Sequence, residues 1–570
     1  MAHNPNYASI NHNLYKEDSF ERANNVNLNF MRLVITFLLF SVFFLSSAQP
    51  HSRGDSLRGK LNNARNWWDV MFYNLHVSVD DNKRSIAGKN TIYFKTISSG
   101  TQFQIDLQKP LVVDSFIFHQ KKLELKHEFD AWTVNLDPLL MDAKNDSVTI
   151  YYSGIPRKAK MAPWDGGFIW SKDKQNRKWI NVACQGLGAS VWWPLKDHQS
   201  DEPDNGMIIS ITANDSLVAI SNGNLINRVS NSNKTKTTTF SITNPINSYD
   251  VTMYLGNYVI VKDSFEGKNG KLKMEYIVLD YNKNKADSLL KPDTQKMLKS
   301  FEYWFGPYPF YADGFRLVES NFLGMEHQSA VAYGNKFRKG YMGVDRSGTG
   351  IGMLWDFIII HECGHEWFGN NITTKDIADM WVHEGFTTYS EALFIESVWG
   401  KDSASKYVRG LRKSISNDGP IIGNYDVNKE GSGDMYDKGA NMIHTIRQVI
   451  NNDEVFHKIL LGLNRDFGKR TVTTKDVEDY ISEKSKINFK PVFDQYLRSA
   501  KIPKLEYKIK KKQITYKWVN CNSDFNMPIK VRINRSSPIW IYPNTTDKKL
   551  KFDSKIFVVT IDSDFYIRKS

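Results

Sequence analysis

Two histidines four residues apart, His361 and His365, enclose Glu362 in the run Ile358-Ile359-Ile360-His361-Glu362-Cys363-Gly364-His365-Glu366-Trp367. The apolar residues leading into them predict a helix. On a helix, side chains at i and i+4 share a face about 5–6 Å apart, a spacing that suits two ligands of one tetrahedral zinc ion. Glu362 would project beside that ion without ligating it, where a carboxylate can act as general base toward water. Zinc with an open coordination position needs a third protein ligand. Glu384, in the following segment Trp381-Val382-His383-Glu384-Gly385-Phe386, is the carboxylate available. The pattern therefore predicts one Zn2+ per chain on His361, His365 and Glu384. Glu391 stands two helical turns beyond Glu384, where it could accept a hydrogen bond from one of the ligating histidines.

These groups must be positioned by a chain of 570 residues, too long for one hydrophobic core and, at 41% hydrophobic and 13% aromatic, of ordinary globular composition. The formal net charge is +13, but Lys and Arg are spread along the whole chain. The densest run, Lys508 to Lys512, reads as the solvated face of a strand, so no nucleic-acid partner is expected. The three cysteines, Cys184, Cys363 and Cys521, lie far apart without metal-ligand spacing. Cys363 is turned about 100° per residue away from its neighbours on the helix and should point away from the metal as a packed small side chain.

Three regions follow from the periodicity. Between Trp67 and Val261 short alternating segments such as Tyr73–Val79, Ser147–Tyr152 and Met207–Ala213 are separated by turn residues. From Lys291 the period becomes helical, and Thr473 with Asp476 has the form of a capping box. After Ile502-Pro503 alternation returns. The expected fold is multidomain α+β: an all-β domain over 60–261, a helix-rich catalytic domain over 262–499 and a small β domain over 500–570. Residues 1–48 read as an extension plus signal peptide. Met31-Arg32 opens the apolar run Leu33 to Leu45, followed by Ser46-Ser47-Ala48, with cleavage after Ala48 and the signal spanning about 31–48. Export is expected, to a periplasmic, cell-surface or extracellular location. The run is short for a membrane span, so a membrane partner is expected only if it stays uncleaved.

The text around the histidines, HECGHEWFGNNIT followed by WVHEGFTTYSEA, resembles the gluzincin aminopeptidases, the family of aminopeptidase N and the leukotriene epoxide hydrolase. Gly324-Met325-Glu326-His327-Gln328 stands where that family carries Gly-x-Met-Glu-Asn, and Tyr436-Asp437-Lys438-Gly439 where it carries Tyr-x-Lys-Gly. Cys184-Gln185, Trp193-Pro194 to Pro203 and Phe305 to Phe310 extend the similarity, which covers roughly residues 65–500. The resemblance implies a thermolysin-like catalytic domain and hydrolysis of the N-terminal peptide bond, with peptides bearing a free N-terminus as partners. It assigns Tyr436 as oxyanion donor. An aminopeptidase must also hold the substrate α-ammonium, for which Glu326 with Gln185 are the candidates. Phe315 to Phe322 reads as an edge strand that the substrate backbone could join, with Gly324 and Met325 beside it. The sequence departs from the family at Leu323, His327, His383 and Glu366; neither odd histidine is needed as a ligand. A zinc endopeptidase or dipeptidase on the same scaffold, or a non-catalytic peptide-binding relative, remain the other readings.

Overall fold

The computed structural model describes residues 51–137 and 144–568, with one compact unit from Arg53 onward. The expected extension and signal peptide lie outside the described residues. Among the described residues no helix is long and apolar enough to cross a membrane. The chain is α+β, with an N-terminal β region, a helix-rich region and a small C-terminal β region.

The alternating segments form strands because one face of each can be buried. In Trp68–Asp80 inward residues such as Val70, Leu75 and Val77 are buried while Ser78 is exposed. This strand pairs antiparallel with Ser85–Thr96 and parallel with Met207–Asn214, at the centre of an eight-stranded sheet. A four-stranded sheet runs in the order Val218–Ser221, Met253–Gly256, Lys178–Ala183, Gly167–Lys172. Trp67, Trp68, Trp192 and Trp193 are fully buried in the core of this region. The strand Lys178–Ala183 leads directly into Cys184-Gln185 and so delivers Gln185 to the rim of the next domain.

That domain opens with a five-stranded sheet ordered Tyr258–Gly267, Gly270–Leu279, Phe315–Glu319, Val331–Tyr333, Gly324–Met325. Two sequence expectations change here. The boundary at 261/262 falls inside Tyr258–Gly267, which pairs along its whole length with Gly270–Leu279, so the division lies before Tyr258. Phe315–Glu319 is an interior strand, with parallel partners on both sides and all five residues buried. Its polar residues imitated a half-exposed strand, but Arg316 is paired with Glu275 at 2.9 Å. Glu319 in turn accepts from Leu279 N (2.8 Å) and Asn282 Nδ2 (2.7 Å). The edge is instead the two-residue strand Gly324–Met325.

The helix carrying the two histidines spans Phe357–Gly364. It begins there because Asp356 caps it, accepting from Ile358 N (3.1 Å) and Ile359 N (3.5 Å). The same carboxylate accepts from Tyr333 Oη (2.6 Å) and Asn335 Nδ2 (2.7 Å), which ties the helix to the sheet. Helical geometry ends beyond His365, where Phe368 (φ −126°) and Gly369 (φ 133°) break it. Trp381–Trp399 crosses Asp437–Ile450 at the Gly385–Gly439 contact; a Cβ on Gly439 would lie 3.0 Å from Gly385 Cα. A side chain at either position would press the two backbones apart by a few tenths of an ångström, and the close approach brings Glu384 and Tyr436 into one cavity. Thr473 and Asp476 form the capping box of Thr474–Ser485.

The C-terminal segment folds as two three-stranded sheets. It docks on the helices through Arg409–Asp564, Tyr566 N to Thr445 Oγ1 (2.9 Å) and a shared apolar core.

Because Asp356 serves two backbone N–H groups and two buried side chains, Asp356→Ala should lower the unfolding free energy by about 2 kcal/mol. Denaturant titration checks this; a change within error would mean that the cap contributes nothing.

Candidate metal and peptide-binding site

His361 and His365 project from one face of Phe357–Gly364 and its C-cap, and Glu384 from the first turn of Trp381–Trp399. One ligand atom from each lies within 4.8 Å of the others. His361 Nε2 is 3.7 Å and His365 Nε2 3.4 Å from Glu384 Oε2. Ligands about 2.0–2.1 Å from a tetrahedral zinc are about 3.3 Å apart, close to these separations. Glu384 Oε2 is buried and has no hydrogen-bond partner, an acceptor that a cation would satisfy.

Each imidazole is held through its other nitrogen. His361 Nδ1 is 2.8 Å from Glu391 Oε1, so Glu391 lies where the sequence suggested it could serve a histidine. His365 Nδ1 donates to Phe368 O (3.0 Å), a carbonyl turned toward it by the break in the helix. With Nδ1 protonated by these acceptors, both Nε2 lone pairs face the ion position. Burial pushes the Glu384 carboxyl up, but the charges of His361 and His365 in their protonated forms outweigh that and hold it well below the usual range; a divalent ion supplies that positive charge when the imidazoles are neutral. The donor set fits one divalent zinc: two neutral imidazoles and one carboxylate.

Tyr407 Oη donates to Glu391 Oε2 (2.6 Å), and Arg346 lies between Glu391 (4.0 Å) and Asp437 (3.0 Å). The Arg346 guanidinium also covers Phe357, whose ring stacks on His361. These groups orient His361 and were missed in the sequence, as were Tyr249 and Glu430. Arg346, Tyr249 and Glu430 occur in connections with no periodic signal, and Tyr407 reads as a core aromatic on its helix.

Glu362 faces the same cavity, of about 200 Å3. Burial pushes its carboxyl up to about 7, with the Glu326 charge adding to the effect. Gly324 sits against it: a Cβ there would lie 2.6 Å from Glu362 Oε1, so a side chain at this position would displace the Glu362 carboxylate. The Met325 side chain is buried in the core and leaves only its backbone at the edge. Glu326 Oε1 receives Tyr249 Oη (3.2 Å) and Gln185 Nε2 (3.4 Å), and Gln185 Nε2 also reaches Glu384 Oε1 (3.3 Å). A second set of three possible ligands, Glu326, Glu362 and His365, shares His365 with the first. Glu326 there is already engaged by Gln185 and Tyr249, so the first set suits the metal and the second leaves two carboxylates facing the space beside it. Tyr436 lines the cavity with its ring 6.2 Å from that of His361; burial and the Glu384 charge keep its phenol protonated.

Of the departures from the family pattern, Leu323 lines the cavity, whereas His327, His383 and Glu366 are packed elsewhere. His327 Nδ1 is 2.6 Å from Tyr254 Oη, and His383 Nε2 accepts from Thr374 N (2.9 Å). Burial pulls both histidines down to about 3, so they stay neutral. Glu366 is buried and accepts from Ser329 N (2.8 Å), and Cys363 is buried in the core. None of the four joins the ligand atoms.

Glu391→Gln keeps the shape but removes the charge opposite His361 Nδ1. Metal affinity should fall by about ten- to a hundredfold, read by competition with a chelator; unchanged affinity would remove Glu391 from the site.

Sequence and structure comparisons place the chain among known proteins. The model of the peptidase family M1 domain matches residues 292–496, and that of the peptidase M1 N-terminal domain residues 71–249. Leukotriene A-4 hydrolase of Xenopus laevis is 25% identical over 204 residues, covering 33% of this chain and 32% of its own. Probable aminopeptidase 1 of Sulfurisphaera tokodaii is 21% identical over 520 residues, covering 85% and 61%. The chain thus spans less than two thirds of the length of either relative. The crystal structure of an M1 zinc metallopeptidase from Deinococcus radiodurans superposes with a TM-score of 0.64 at 20% identity, over 79% of this chain and 98% of that one. With both of the family's domain models matched in order and its fold shared, the chain belongs to peptidase family M1.

Proposed function

We propose that the protein is a zinc-dependent aminopeptidase that hydrolyses the first peptide bond of peptides with a free N-terminus. The observation that carries the reading is the Glu326–Gln185 pair in the wall of the metal cavity, bridged by Gln185 Nε2 to Glu384. A buried carboxylate beside a ligand carboxylate forms a negative pocket for an ammonium group, which an endopeptidase would have no use for.

His361, His365 and Glu384 would hold the zinc. When bound, the ion acts as a Lewis acid that acidifies a water molecule and polarises the scissile carbonyl. Glu326 and Gln185 fix the α-ammonium and so set which bond reaches the reacting position. The free backbone of Gly324–Met325 offers β-pairing to the substrate chain. Glu362 takes the proton of the attacking water and returns it to the leaving amine. The Tyr436 phenol donates a hydrogen bond to the oxygen on which negative charge develops.

Glu362→Gln should lower kcat by about 10²–10⁴-fold while metal content is retained. Glu326→Ala should lower kcat/KM by about a hundredfold on free-amine substrates, the size expected for a lost charge-assisted hydrogen bond. A chelator should abolish activity and zinc restore it. Cleavage of N-acetylated peptides as fast as free ones would overturn the assignment.

Export is part of the same proposal and rests on the segment 31–48. N-terminal sequencing of the mature protein should begin at Gln49; a mature chain beginning at residue 1 would refute it.

A further inference from the structure

A second cavity, of about 710 Å3, adjoins the first. The two share Trp164, Leu323 and Tyr341 as walls. Gln185 and Glu326 line only the smaller of these two. A peptide whose ammonium rests on Glu326 and whose first carbonyl lies over the metal therefore runs past Leu323, along the edge strand, into the larger space. Trp164 stands at the junction with 59% of its surface exposed, an aromatic face left without a partner of its own size.

The larger cavity has a distinct charge. Lys172, Lys174, Lys285 and Lys336 line it, and none of them forms an ion pair among the described residues. Lys174 and Lys285 lie over the rings of Tyr281 (3.7 Å) and Phe337 (4.6 Å), and Lys172 donates to Asn176 Oδ1 (2.9 Å). The two acids in the same walls are occupied: Asp173 by Arg177 at 2.7 Å, and Glu319 by Leu279 N and Asn282. Unpaired lysines are ordinary on a chain of net charge +13. Four of them converging on one aromatic cavity, continuous with the catalytic one, form a concave positive field. Lys336 and Phe337 hold it in consecutive left-handed conformations (φ 55° and 58°), in a turn that Asn335 anchors to Asp356, the cap of the metal helix.

We propose that this cavity binds the part of the substrate downstream of the scissile bond, and that it selects carboxylates there, from acidic side chains or the peptide C-terminus. Trp164 and Tyr341 flank the passage between the two spaces. This inference rests on the peptidase reading and adds a specificity that the metal site does not contain.

The test uses wild type and the triple variant Lys174→Glu/Lys285→Glu/Lys336→Glu. Three kinds of substrate share one first residue: an aminoacyl coumarin amide, whose leaving group carries no charge; pentapeptides with Asp or Lys at the downstream positions; and a neutral pentapeptide as free acid or C-terminal amide. Wild type should prefer the acidic over the basic pentapeptide by about tenfold in kcat/KM, the preference shrinking as salt rises. The triple variant should lose or reverse that preference while its rate on the coumarin amide is unchanged. Discrimination within the Asp/Lys pair assigns the charge to side chains, and within the acid/amide pair to the C-terminus; either supports the site. No charge preference in wild type, or one that survives in the triple variant, overturns it. If the coumarin amide is not cleaved, the peptidase reading falls, and the cavity is judged by calorimetry. Tighter binding of the acidic pentapeptide to wild type than to the triple variant sustains it, and equal binding rejects it.

Discussion

The site depends on two buried imidazoles being held in one tautomer. His361 meets a carboxylate at Nδ1, and His365 meets a backbone carbonyl there with Thr387 Oγ1 3.2 Å away, so that both Nε2 atoms turn toward Glu384. The carbonyl of Phe368 is available because the helix stops just past His365, and Glu391 is in reach because the second helix runs alongside for two turns. The rest of the catalytic domain preserves that geometry. Asp356 fixes where the first helix starts, and the Gly385–Gly439 contact fixes how close the second lies to its neighbour.

The same cavity concentrates negative charge. Glu326, Glu362 and Glu384 are all buried in it, and Glu430 faces it from the adjoining space. Burial pushes Glu362 and Glu430 up to about 7, Glu384 and Glu326 adding to the shift at Glu430. Such a cluster suits two positive guests, a divalent ion on one side and an ammonium group on the other. Gln185 sits between the two, neutral and able to donate to both carboxylates. It comes from the N-terminal sheet, so the amine end of the site exists only when the β domain packs on the catalytic one.

Much of this was legible in the sequence where chemistry and spacing coincide. The pair His361 and His365 and the cap Thr473–Asp476 are local patterns, whose geometry follows from the pitch of a helix, and Glu384 was legible as the carboxylate of the following segment. The strands of the N-terminal region were legible for a similar reason, since a half-buried strand alternates. Phe315–Glu319 misled because a fully buried strand carrying paired Arg316 and Glu319 shows the polarity of a half-exposed one. The boundary near 261 was misplaced because consecutive strands of two different sheets have the same alternation.

The sequence by itself determined which residues can ligate a metal and which segments are helix or strand, because those properties are set by side-chain type and by periods of a few residues. Only the tertiary structure decided that Gly324–Met325 is the edge, that Gln185 bridges Glu326 and Glu384, and that Tyr407 and Arg346 surround Glu391. It also decided that four lysines scattered between Lys172 and Lys336 line one cavity. These are contacts between residues far apart in the chain. Their formation depends on how separate elements pack, and no local spacing encodes it.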